Sequence, residues 1–183
     1  MPWVLVLLAS CTGVTPLDEA AALEKGQWIA TASFQALSGQ LSQAMQAGGP
    51  AHAVEYCSHR ALSVMDPLSA LHGARIKRTS DRLRAAHDRP DTDEQRALQV
   101  MVEQWERGAA AAVTPSVRLL GDSVAYYQPI FIASPTCLKC HGTAGVDLDS
   151  AAFAVIDQRY PQDAATGYQL GEFRGMWSIR WKQ

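Results

Sequence analysis

Val117-Arg118-Leu119-Leu120-Gly121-Asp122-Ser123-Val124-Ala125-Tyr126-Tyr127-Gln128-Pro129-Ile130-Phe131-Ile132 is where the hydrophobic period of this chain changes. Upstream, apolar residues recur every three or four positions. Here two runs rich in β-branched and aromatic residues flank Gly121-Asp122-Ser123, a hairpin signal. Near the C-terminus Trp177, Ile179 and Trp181 alternate with Ser178 and Arg180, which predicts a half-buried strand. Ala74 to Thr79 is a weaker strand candidate. Helices first and antiparallel strands later indicate an α+β fold.

The helical part begins with residues 17–47, where Phe34, Leu37, Leu41 and Met45 fall at helical spacing. Gly48-Gly49 should stop that helix, and Pro50 suits the first turn of the next. The second helix is expected to end at Asp66-Pro67 and to bury Val54, Cys57, Ala61 and Met65, with His59 pointing outward. A third helix is expected from about Asp91, capped by the Asp91 and Glu94 pair, with Leu98, Met101, Val102 and Trp105 as its apolar face.

At 183 residues, the chain suits one domain. Its net charge of −2, without a long basic run, argues against a nucleic-acid partner, which needs clustered Lys and Arg. Trp3 to Ala9 is a short apolar run ending in Leu8-Ala9-Ser10-Cys11. It is too short to span a bilayer and matches the apolar region of a secretion signal. Its last four residues resemble a bacterial lipobox, although Met1 and Pro2 supply no cation before the run. We therefore expect residues 1–10 to be a lipoprotein signal and residues 11–20 a tether, with one domain over residues 21–183. Lipid on Cys11 would anchor it to the membrane from the periplasm. An ordinary cleaved signal with an incidental Cys11 is the simpler alternative.

Cys137-Leu138-Lys139-Cys140-His141 has the spacing of a c-type haem attachment site. Thiols separated by two residues can reach the two vinyl groups on one porphyrin edge, and the following His can face the iron. A dithiol redox pair would leave His141 without a task. A structural zinc site would need a fourth ligand, and no second Cys/His pair has suitable spacing. One covalent haem c is the cofactor expected.

Ala53-Val54-Glu55-Tyr56-Cys57, Arg78-Thr79-Ser80, Tyr127-Gln128-Pro129-Ile130 and the haem motif with Gly142 occur in this order. Tyr160-Pro161, Ala165-Thr166-Gly167-Tyr168 and Gly171-Glu172-Phe173-Arg174-Gly175 follow. Together they resemble a family of bacterial exported haem proteins represented by a cyanobacterial c-type cytochrome of PAS-like fold. The resemblance spans about residues 20–183. After Arg84 the family usually has Asn-Pro, whereas this chain has Ala85-Ala86. The resemblance implies a PAS-like, five-stranded antiparallel sheet packed with N-terminal helices around the haem. It also implies His141 and Cys57 as the two axial ligands.

By residue type alone Cys57 would be an ordinary buried thiol, and Met45, Met65, Met101, His52 and His59 compete with it. His72 and His87 are expected to be solvated. Arg78, Arg82 and Arg84 suit either haem propionates or a solvated charged face, with Arg78 the best placed because it lies in a matched motif. The expected function is a redox- or gas-responsive haem module with a separate redox or signalling partner protein. A simple electron carrier is the alternative, and a peroxidase-type enzyme is less favoured because Cys57 would close the distal site.

Overall fold

The computed structural model describes residues 16–108 and 112–183, and for residues 60–63 the backbone only. The expected signal segment and Cys11 lie outside the described residues. Among the described residues, no helix is long and apolar enough to cross a membrane.

The first element, α1 (Glu19–His72), is capped by Asp18, whose Oδ1 accepts from the Ala21 N–H at 3.1 Å. Gly48 (φ −162°) and Gly49 (φ 74°) break it into two limbs, and Pro50 opens the second. The limbs fold back on one another: Tyr56 donates to Gln40, and the Trp28 and His72 rings meet edge-on at 4.7 Å.

Two expectations are corrected here. The helix does not end at Asp66-Pro67; it continues to His72, where Gly73 closes it in the left-handed conformation at φ 56°. Leu68, just past the proline, packs on the core and holds that last turn. Nor do the large residues of the first limb all face inward: Leu37 packs on the core, but Phe34 and Leu41 do not. Phe34 is 60% exposed and Leu41 37%, while Ala22, Gly26, Ile29, Ala30, Ser33 and Ala44 are buried. Small residues let the helix backbone settle onto the sheet, so side-chain bulk marks the flank.

The sheet contains β1 (Ala74–Thr79), β2 (Ser116–Leu120), β3 (Ser123–Phe131) and β4 (Phe173–Lys182). Their order is β1-β4-β3-β2, with every neighbouring pair antiparallel. The hairpin closes at Leu120 opposite Ser123, with Gly121 at φ 63°, so its loop is one residue shorter than expected. Pro129 lies beyond the last β3 residue paired with β2, where no ladder bond from its nitrogen is required.

The last strand in sequence is an inner one. Trp177, Ile179 and Trp181 pack under α1 with Ile29, Val124 and Tyr126. Phe173 and Met176 face α2 (Thr92–Gly108) with Leu98, Met101 and Tyr127. With helices covering both faces, even Ser178 is buried, so β4 is not half-exposed as its alternation suggested.

Four strands, not five, form the sheet among the described residues. After β1 the chain leaves the sheet at Ser80 and makes a short 3-10 turn at Ala86–Asp88. Thr79 Oγ1 donates to the Asp88 carbonyl at 2.6 Å, which ties that turn against the outer strand. The α2 cap is as expected: Asp91 Oδ1 accepts from the Asp93 and Glu94 N–H groups, and Glu94 Oε2 accepts from the Asp91 N–H.

Two further helices, α3 (Pro135–His141) and α4 (Ser150–Arg159), lie between β3 and β4. The second was not anticipated. Its signal is local: Asp149 caps it by accepting from the Ala152 N–H, and Ala152 and Ile156 form its buried stripe.

Candidate functional site

The Cys-x-x-Cys-His motif forms α3 itself. Ser134 precedes the helix, Pro135 takes its first turn, and Cys137 and Cys140 are three residues apart on one face. Both thiols are free and half-buried, between two small apolar clusters. Cys137 packs on Ile132, Ala165 and Tyr168, and Cys140 on Val54, Leu148, Ala152 and Ile156. Gly142 ends the turn where a Cβ would lie 2.6 Å from the Leu138 carbonyl oxygen.

His141 Nδ1 lies 2.7 Å from the Ala165 carbonyl, which can only accept, so Nδ1 carries the proton. That leaves the Nε2 lone pair available to a metal and fixes the plane of the ring. Burial, together with nearby Arg84 and Arg174, holds the imidazolium pKa well below its usual value, so the ring is neutral. A neutral, oriented imidazole is the form that binds iron.

The loop carrying Ala165 is tied down from several sides. His141 O accepts from the Tyr168 N–H, and Gly142 O from the Gly167 N–H. Arg84 donates to the Cys140 carbonyl at 2.6 Å and the Ala165 carbonyl at 3.2 Å, and pairs with Asp163. Arg82 donates to the Ala164 and Thr166 carbonyls while its guanidinium lies 3.9 Å from the Tyr168 ring centre. Arg82 and Arg84 are therefore committed to backbone carbonyls, not to a solvated charged face. Arg78 differs: it is exposed and makes no hydrogen bond among the described residues, with its guanidinium 5.9 Å from the Trp177 ring centre.

Cys57 lies in the second limb of α1, one turn after Val54, which packs on α4 and beside Cys140. Burial raises its thiol pKa and Arg78 opposes the rise; Cys140 is raised by burial against Arg84, with Cys57 among the titratable groups near enough to act on it. The α1 limb thus brings Cys57 into the electrostatic surroundings of the motif. The competing donors lie elsewhere. Met65 belongs to the core under α1 and Met101 to the core under α2. His52 is exposed, and His59 points outward to Glu55. Met45 is half-buried in the first limb.

His87 is exposed beside Asp88, as expected, but His72 is not solvated: its Nε2 is buried without a hydrogen-bond partner, and its ring packs on Trp28. Among the described residues, no three His, Cys, Asp or Glu side chains converge into a metal-binding group. The donor set suits a porphyrin iron, which needs only axial ligands from the chain. Two thiols on one turn, an oriented imidazole and adjacent arginines fit a haem with its two carboxylates.

Residues 17–181 match the model of the Tll0287-like family. The crystal structure of the cyanobacterial haem protein Tll0287 aligns with a TM-score of 0.64 at 20% identity, covering 89% of this chain and 96% of that one. At that identity the likeness is one of fold. No curated protein matches. With nearly its whole length matched, this chain belongs to the Tll0287-like family.

Proposed function

We propose that this chain is an exported, lipid-anchored c-type haem protein that serves as a redox- or gas-responsive module. Cys137 and Cys140 would hold one haem through thioethers, and His141 Nε2 would bind the iron. Haem supplies a one-electron couple and, where an axial position opens, a site for a diatomic gas. The observation that carries the reading is the His141 Nδ1 contact with Ala165, which fixes tautomer and ring plane on the turn bearing both thiols. Membership of a family with a haem protein among its solved structures supports it.

Cys57 is proposed as the second axial ligand. An anionic thiolate favours ferric over ferrous iron, so the potential would be low and the sixth position would loosen on reduction. A partner protein would read that change. The alternative reading, a simple electron carrier, draws on Cys137 and Cys140 being only half-buried, which leaves the side of the motif that carries the thiols partly open to solvent.

Intact mass of the mature protein, from a host competent in cytochrome maturation, should show one haem added and acyl chains on Cys11. Cys57→Ser should convert the ferric low-spin EPR spectrum to another form. An unchanged spectrum rules out Cys57, and a colourless wild type rules out the haem. Ferrous protein that binds CO supports the sensor over the carrier.

A further inference from the structure

Arg174 is the extra residue of a β-bulge. Between β3 and β4, Ile130 pairs with Gly175 and Phe131 with Phe173, so Arg174 has no partner opposite. Gly175 follows at φ 148°, where a Cβ would lie 2.4 Å from the Thr79 carbonyl oxygen. A bulge of this kind interrupts the alternation of the strand and re-aims one side chain. Here the guanidinium lies 5.4 Å from the Tyr168 ring centre, and that ring meets His141 edge-on at 6.2 Å.

The guanidinium is poorly satisfied. Its one hydrogen bond runs from Nη1 to the Arg82 carbonyl at 3.2 Å, and its buried Nε has no partner. It makes no ion pair among the described residues. The buried hydroxyl of Tyr168 is likewise without a partner. Burial disfavours its charge, Arg84 and Arg78 repel it, and Tyr168 and the Asp163 carboxylate favour it. Arg84 is matched by Asp163, and Asp88 is the other carboxylate within this group's reach. A largely desolvated guanidinium whose nearest carboxylate is already bound to Arg84 is destabilising unless a further anion completes it.

We infer that Arg174 binds a carboxylate of the haem propionates, with Arg78 as the second cation at its outer edge. This inference rests on the haem reading above and adds to it a residue on β4, distant in sequence from the attachment motif. Arginine suits the task because its planar fork matches a carboxylate. The other nearby arginines are already engaged with carbonyls of the 163–168 loop.

The test uses the haem-loaded, full-length protein. Arg174→Gln should shift the propionate bending band in the resonance Raman spectrum and lower the reduction potential, since a cation beside the propionates favours ferrous iron. Arg174→Lys should keep the potential near wild type while still shifting the band, because Lys offers a point charge without the fork. Arg159→Gln, on the exposed clamp to Glu55, should change neither. Should Arg174→Gln fail to fold, the band in Arg174→Lys decides alone. An unshifted band in haem-bearing Arg174 variants overturns the inference and leaves the haem reading standing; a colourless wild type ends both.

Discussion

A Cβ built on Gly26 would lie 2.2 Å from Cγ of Tyr126, in hard overlap with the ring of a fully buried side chain on β3. The ring cannot retreat, because it is packed under α1 with Ile29, Ile179 and Trp177, and its hydroxyl donates to Gln128. Gly26→Ala should therefore lower unfolding free energy by about 1–3 kcal/mol through overpacking. Gly39→Ala on the same limb meets nothing within 4 Å and should stabilise by about 1 kcal/mol through helix propensity. Urea denaturation of the two variants checks the opposite signs. Nothing local in the sequence distinguishes these glycines, since the clash is with a residue a hundred positions away. The Cys-x-x-Cys-His motif was legible because thiol spacing is itself local. Arg174 was not, because the bulge that turns it inward exists only once β3 and β4 are paired.

At the scale of elements, the start of α2 combines a helix cap with a tertiary ion pair. Arg180 on β4 reaches Asp91 Oδ1 at 2.8 Å, so the cap also fixes the helix to the sheet. Burial raises the Asp91 pKa, but the Arg180 hydrogen bond and the Glu94 N–H outweigh it and leave the folded value lowered. A carboxylate with a depressed folded pKa stabilises above its unfolded pKa, and that contribution is lost as pH falls through the folded value. Asp91→Asn keeps a capping oxygen and removes the charge. The partly exposed pair limits the loss to under ~1 kcal/mol at neutral pH. Thermal melts across an acid series should show wild type and Asp91→Asn converging below the carboxylate range. This cap, the hairpin and the Gly48-Gly49 break were readable because each is a short-range pattern. The burial of the first limb was not, because reading large residues as the inner face assumes helices pack at side-chain distance, whereas here small residues bring the backbones close.

Across the whole molecule, strand order decides which surfaces are covered. The last strand inserts between β1 and β3, so the two large apolar clusters lie on opposite faces of one sheet, under α1 and α2. An alternating strand read alone looks half-exposed; its second cover comes from a helix eighty residues earlier. The attachment motif belongs to neither large cluster. It lies between two small ones, of α1, α4 and Cys140 on one side and Ile132, Ala165, Tyr168 and Cys137 on the other. Small satellite clusters supply little local stability, so this corner is where opening should occur first. Covalent haem would join both through Cys137 and Cys140. On the haem reading proposed above, amide hydrogen exchange should therefore be faster in a Cys137→Ala/Cys140→Ala protein than in the wild type across α3, α4 and the 163–168 loop. Inner β3 and β4 amides beneath α1 should exchange alike in both. Uniform acceleration over the sheet would instead mean that the haem stabilises one undivided core, against the separation of clusters seen here.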